Sequence, residues 1–132
     1  MATFQRIATI ASAIFFTFHV ARGKPDTTLV AKVCNGAKYS PWSTYDYNIG
    51  QVLDCLFDFT ADSGFNKYCQ STGDDNKCYG HAACNGAISH SDCTTCLREA
   101  WKYIFDGCIY SIGAQVQLKD CRIRYEQYPF TE

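Results

Sequence analysis

Three cysteines within thirteen residues, Cys84, Cys93 and Cys96, lead straight into the clearest helical pattern of the chain. No other stretch constrains the fold as tightly. From Cys93 onward, cysteine and apolar side chains recur at i, i+3, i+4 and i+7, filled by Cys93, Cys96, Leu97, Ala100, Trp101, Ile104, Phe105 and Cys108. This predicts one helix face buried along its length. Ser89 or Ser91 is placed to accept backbone N–H bonds at the helix start, and Asp92 puts negative charge where the helix dipole favours it. Gly107 and then Gly113 mark the exit. Cys93 and Cys96 lie about one turn apart on one face, so they can tie the helix to two other parts of the chain at once.

The first residues read as a secretory leader: Arg6, an apolar run from Ile7 to Val20, then small residues at Ala21 and Gly23. That run is too short to span a bilayer comfortably, and a polar, cysteine-rich chain follows, so no membrane anchor is expected. Cleavage after Gly23 leaves residues 24–132 as one domain with all nine cysteines. Arg6 and Arg22 leave with the leader, so ten Lys and Arg face thirteen Asp and Glu, a formal charge of −3. A general nucleic-acid binder is excluded on that charge. In an oxidising secretory path this cysteine density reads as a disulfide framework. Nine is odd, so at least one thiol is free or pairs between molecules.

Taken in order, Thr27 to Cys34 is β-branched and apolar and suits a first strand, followed by an Asn35-Gly36 turn. Asn48 is the expected cap of a helix carrying Ile49, Val52, Leu53, Leu56 and Phe57, ended by Ser63-Gly64. Phe65 to Tyr68 and Tyr79 to Ala83 are expected as short strands around a polar loop flanked by Cys69 and Cys78, which a bridge between those two would staple. After Gly113 the period changes to two. Ala114, Val116 and Leu118 alternate with polar residues, and so do Cys121, Ile123 and Tyr125, giving an antiparallel hairpin that turns at Lys119-Asp120. In that register Gln115 faces Arg124 and lies diagonal to Glu126, three polar groups on one solvent-facing patch.

Catalytic readings are weak. Cys93-Thr94-Thr95-Cys96 has redox spacing at a helix start, where thiol pKa values fall, but it lacks a βαβ setting and competes with seven other cysteines. His81 with Cys84, and His90 with Cys93 and Cys96, have zinc-like steps, yet disulfides claim thiols in a secreted chain. No serine sits in a nucleophile elbow, and Cys55 reads as a partly buried spare thiol. The chain is therefore read as a non-enzyme with no cofactor and no metal. Outward Gln115, Arg124 and Glu126, with Asn35, are the donor and acceptor types that bind sugar hydroxyls, although the same residues also suit a plain solvated face.

The spacing Cys84-x8-Cys93-x2-Cys96 resembles the signature of the plant stress-antifungal domain, the family of ginkbilobin, cysteine-rich repeat secretory proteins and cysteine-rich receptor-like kinase ectodomains. Cys34-Asn35, Tyr79-Gly80, Ile88-Ser89, Ser91-Asp92-Cys93, Ile112-Gly113-Ala114, Val116-Gln117-Leu118 and Tyr125-Glu126-Gln127 extend the likeness across nearly the whole chain after the leader. The resemblance implies an α+β fold, an antiparallel sheet packed by two α-helices, with bridges Cys34–Cys108, Cys84–Cys93 and Cys96–Cys121. Cys55, Cys69 and Cys78 are extra to those six. A fourth bridge Cys69–Cys78 is expected, with Cys55 unpaired and open to forming a covalent dimer of an otherwise monomeric protein.

Ginkbilobin-type members are antifungal and bind mannose through an Asn, an Arg and a Glu. The resemblance carries the Asn to Asn35 and the Glu to Glu126, while the Arg position is Gln115, a neutral amide in place of a planar cation. Arg124, facing Gln115 across the hairpin, would deliver its guanidinium to nearly the same place. The implied function is a secreted, apoplastic defence lectin for mannose or mannan-type glycans of fungi. A protein-binding apoplastic module, such as a protease inhibitor or receptor partner, is the alternative.

Overall fold

The computed structural model describes residues 24–132; the secretory leader expected over residues 1–23 lies outside them. Strand β1 (Leu29–Cys34) is followed by helix α1 (Thr44–Phe59), a single 3₁₀ turn (Ala61–Ser63), and strands β2 (Asn66–Gln70) and β3 (Tyr79–Cys84). Helix α2 (His90–Gly107) and the hairpin of β4 (Ala114–Leu118) and β5 (Cys121–Glu126) complete the chain. The five strands form one antiparallel sheet in the order β1-β4-β5-β3-β2. Both helices pack on one face, α1 over β2 and β3 and α2 over β4 and β5.

Period-two alternation sets this layering. Ala114, Val116 and Leu118 on β4 and Cys121, Ile123 and Tyr125 on β5 are buried under the helices, while Gln115 is exposed and Gln117, Arg122 and Arg124 are half-exposed. The hairpin register pairs Gln115 with Arg124 as its alternation predicts. From α1 come Tyr45, Ile49, Val52, Leu53 and Leu56, and from α2 come Cys93, Cys96, Leu97, Ala100 and Ile104. The predicted stripe of α2 is narrower than its spacing implies. Trp101 is only half-buried, packing edge-on against Tyr125 of β5 while lining the gap between the helices, and Phe105 beside it is 66% exposed.

Helix α1 starts a turn earlier than expected. Ser43 is its N-cap, with Oγ accepting from the Asp46 amide at 3.3 Å. Asn48, expected as the cap, is buried inside the helix, where Nδ2 donates to the carbonyls of Asp75 and Asn76 at 3.1 and 2.8 Å. It therefore fastens the polar loop after β2. The start of α2 is capped by Ser89, whose hydroxyl accepts from the Asp92 amide at 3.0 Å.

Four disulfides hold the layers together: Cys34–Cys108, Cys55–Cys69, Cys84–Cys93 and Cys96–Cys121. Cys93 and Cys96 thus bind α2 to two different places, the end of β3 and the start of β5. The expected Cys69–Cys78 bridge is corrected, and so is the spare role of Cys55 with its covalent dimer. Cys69 is directly opposite Gly80, and the Ser71 amide donates to the Cys78 carbonyl, so Cys69 and Cys78 stand diagonal across the hairpin. Diagonal Cα atoms are about 7–8 Å apart, beyond disulfide reach. Cys55 instead faces Cys69 from α1 at a Cα separation of 6.3 Å. Cys78 is the free cysteine, and it is fully buried.

Candidate functional site

The expected site residues converge on the face of the sheet away from the helices, where β1, β4 and β5 meet. Asn35 follows the last residue of β1. Its amide donates to the Gly113 carbonyl at 2.8 Å, and its Oδ1 accepts from the Ala37 amide at 3.0 Å, an Asx turn that fixes the side chain. Gln115, two residues beyond Gly113, is exposed and opposite Arg124. Arg124 and Glu126 lie on the same face of β5, with Nη2 3.8 Å from Oε2. The structure therefore brings Gln115, Arg124 and Glu126 together, with Asn35 adjoining through Gly113.

Two features of this patch depart from the expectation of a solvated face. Glu126 is 8% exposed, not free in solvent. Its carboxylate sits over the backbone of Gly113, where an added Cβ would lie 2.3 Å from Oε1. Gly113 thus belongs to the candidate patch although spacing alone did not reveal it; its place beside a strand entry was the available signal. Arg124 is also tied down by the segment after β5. Its Nη2 donates to the Tyr128 hydroxyl at 3.3 Å, its Nη1 is 3.6 Å from Glu132 Oε2, and its guanidinium carbon sits 4.1 Å above the Phe130 ring.

Residues 127–132 turn back across the outer face. Glu132 Oε1 lies 2.7 Å from His81 Nδ1, and the Glu132 amide donates to the Tyr68 hydroxyl at 2.7 Å. Tyr68 stacks on His81 with ring centres 4.1 Å apart. A shallow depression of about 140 Å³ lies between this segment and the hairpin, lined by Gln115, Gln117, Arg122, Arg124 and Glu132 among others.

The histidines once paired with cysteines in zinc-like steps are separated. His81 is buried on β3, whereas His90 is exposed at the start of α2 beside Asp62. Cys84, Cys93 and Cys96 are all consumed by disulfides. Among the described residues no helix is long and apolar enough to cross a membrane.

Fold and patch together define a small disulfide-stapled α+β domain with a two-helix layer on one face of its sheet and a polar, partly covered patch on the other. A family model described as salt stress response/antifungal matches residues 33–128, and the chain belongs to that family. It is 42% identical over 110 residues to antifungal protein ginkbilobin-like protein 2 of Picea glauca, covering 82% of this chain and 83% of that one. It is 39% identical over 107 residues to antifungal protein ginkbilobin-2 of Ginkgo biloba, covering 80% of each. Among solved structures, the tandem DUF26 ectodomain of the Arabidopsis thaliana cysteine-rich receptor-like protein PDLP8 superposes with a TM-score of 0.63 at 32% identity over 79% of this chain. That of PDLP5 gives 0.71 at 24% over 78%, a likeness of fold. The chain spans about half of those ectodomains, 47% and 51% respectively.

Proposed function

We propose that the protein is a secreted plant antifungal protein of the apoplast that binds mannose-bearing fungal glycans through the outer patch, without catalysing a reaction. Asn35 offers amide donors, Glu126 accepts from sugar hydroxyls, and Arg124 supplies the cation that Gln115 cannot. The observation that carries this reading is the Arg124 guanidinium 3.8 Å from the Glu126 carboxylate, on the strand facing Gln115. A carboxylate and a guanidinium held side by side grip vicinal hydroxyls as acceptor and donor, the usual polar basis of sugar recognition. Relatives at about 40% identity are antifungal proteins by name, which supports the biological role.

Calorimetric titration with mannose and short mannans tests it. Saturable heat is expected for the protein, with loss in Glu126→Ala and in Arg124→Ala but not in Lys67→Ala on the far edge strand. Absence of heat at millimolar sugar would sink the lectin reading. Unchanged affinity in Arg124→Ala would sink the substitution of Arg124 for the cation missing at position 115.

A further inference from the structure

The helix layer carries a second open site, on the side of the molecule away from the glycan patch. Between α1 and α2, against the loops that flank β1 and follow α2, lies a groove of about 460 Å³. Its lining holds five aromatic rings, Tyr39, Trp101, Phe105, Tyr110 and the buried Tyr125, and two carboxylates, Asp46 and Asp106. Among the described residues its lining includes no cation. Lys38, beside Tyr39 in sequence, has its ammonium engaged on the Ile109 carbonyl at 2.9 Å. The groove is therefore an aromatic box with two carboxylates in its lining and cations only at its margins: Lys38 on the Ile109 carbonyl, and Lys32 and Lys102 in a neighbouring depression that shares Asp106. This setting suits a cation with an apolar body, with Asp46 as its principal partner.

Three further observations suit an occupant. Gly50 lies in the middle of α1 and lines the groove, and a Cβ placed there would meet nothing within 4 Å. Packing does not demand glycine at this position and a helix interior disfavours it, while the missing side chain leaves the groove wider there. Tyr110, on the rim, and Trp42, whose amide donates to Asp46 Oδ2 at 2.8 Å, are bulky aromatics held at positive φ, +59° and +64°. Such backbone is costly for these residues and concentrates at binding sites. The apolar rim is also exposed: Phe105 is 66% and Ile109 54% exposed on the groove itself, and Trp42, outside its lining, 96%. A small molecule held in the groove would leave that rim bare, whereas a protein segment would cover it.

We propose that the groove between α1 and α2 docks a protein segment presenting an Arg or Lys beside an aromatic or branched aliphatic side chain. The cation lies over Tyr39 and Trp101 within reach of Asp46 and Asp106, and the apolar neighbour covers Phe105 and Ile109. This site is separate from the glycan patch, which is on the opposite face of the sheet, and its occupancy does not depend on sugar binding.

The test is an amide-shift NMR titration of the full protein with three blocked tetrapeptides: alanine-arginine-tryptophan-alanine and its glutamine and glutamate counterparts. Saturable shifts at Tyr39, Asp46, Trp101 and Tyr110 are expected with the arginine peptide. Affinity for the glutamine peptide should be about fivefold weaker, the loss expected for one cation–π or exposed ion-pair contact, and the glutamate peptide should bind more weakly still. Asp46→Asn with Asp106→Asn should reduce the arginine peptide to the level of the glutamine peptide. Gly50→Leu fills the groove in a helix that tolerates leucine, and should abolish binding of all three peptides without lowering the melting temperature. The proposal is overturned by absence of saturable shifts, by equal affinity for the three peptides, by shifts centred on Gln115 and Arg124, or by undiminished binding in Gly50→Leu. Mannose added to the same sample reads the other face independently, so failure of either site is seen without disturbing the other.

Discussion

Gly113 and Glu126 occupy each other's space: the carboxylate of Glu126 takes the position a side chain at 113 would need, with Oε1 2.3 Å from an ideal Cβ. The same glycine accepts the Asn35 amide through its carbonyl at 2.8 Å. One residue without a side chain thus sets both acidic and amide members of the patch. Gly113→Ala is expected to displace the carboxylate, costing about 1–3 kcal/mol as overpacking does, and to weaken mannose binding as Glu126→Ala does. Calorimetry paired with a denaturant melt checks both. Full affinity in a destabilised Gly113→Ala would remove Glu126 from the site.

The segment that covers Arg124 competes with any ligand for its guanidinium. Phe130→Ala combined with Glu132→Gln removes the ring beneath Arg124 and the carboxylate 3.6 Å from Nη1. Mannose affinity should rise by about fivefold, the worth of one exposed cation–π or ion-pair contact. Lower affinity in this variant would mean that the segment forms part of the site.

Disulfides closing longer loops restrict the unfolded chain more. Cys34–Cys108 spans 74 residues and Cys84–Cys93 spans 9. Replacing the first pair by alanine should cost about 4.5 kcal/mol and the second about 2.7 kcal/mol in the chain-entropy account. Urea unfolding of the two double mutants measures the difference, and equal losses would mean that native contacts rather than loop closure dominate.

Alkaline behaviour follows from burial. Burial pushes the Cys78 thiol up to about 12, and it also raises Tyr39, Tyr45 and Tyr125 above the ordinary phenol value. Tyr45 and Tyr125 in addition donate to the carbonyls of Ile112 and Ser111, each at 2.6 Å. These groups are neutral in the folded state, so the stability they contribute is intact below the ordinary thiol and phenol values. It is lost as pH rises from there toward the raised folded values, because the unfolded chain then releases protons the folded chain retains. The melting temperature should be insensitive to these four groups up to about pH 8 and fall above about pH 9. The native protein should give no thiol signal with an aromatic disulfide reagent at pH 8 and one per chain in denaturant; fast native labelling would contradict the burial of Cys78.

The hairpin was legible because its information is local. Alternation through Ala114, Val116, Leu118 and Cys121, Ile123, Tyr125, with one polar turn between, leaves a single register, and that register places Gln115 against Arg124. The α2 stripe was legible for the same reason through Cys93, Cys96, Leu97, Ala100, Ile104 and Cys108, all buried. At its edge, Trp101 and Phe105 keep helical spacing but line the groove between the two helices, a distinction no periodicity carries. The start of α1 could have been read from Ser43 with Asp46 three residues later and Tyr45 four before Ile49; the nearer Asn48 concealed it. Pairing of Cys55 with Cys69 depends on how closely α1 approaches β2, which is a property of packing. So does the burial of Glu126, which follows from an absent side chain thirteen positions earlier. Tyr128-Pro129-Phe130 has no period at all, and its course over Arg124 is set by the side chains it finds there.

The sealed thiol of Cys78 also bears on how this protein is made. While the chain is still open, Cys55, Cys69 and Cys78 are three interchangeable partners for two places, and a thiolate can shuttle among them. Once α1 settles on the β2–β3 hairpin, Cys78 is enclosed and held protonated, and the exchange has no attacking group left. Closure of the core therefore fixes this bridge against internal exchange: pairing among Cys55, Cys69 and Cys78 can be rearranged before that moment, and Cys78 cannot reopen it afterwards.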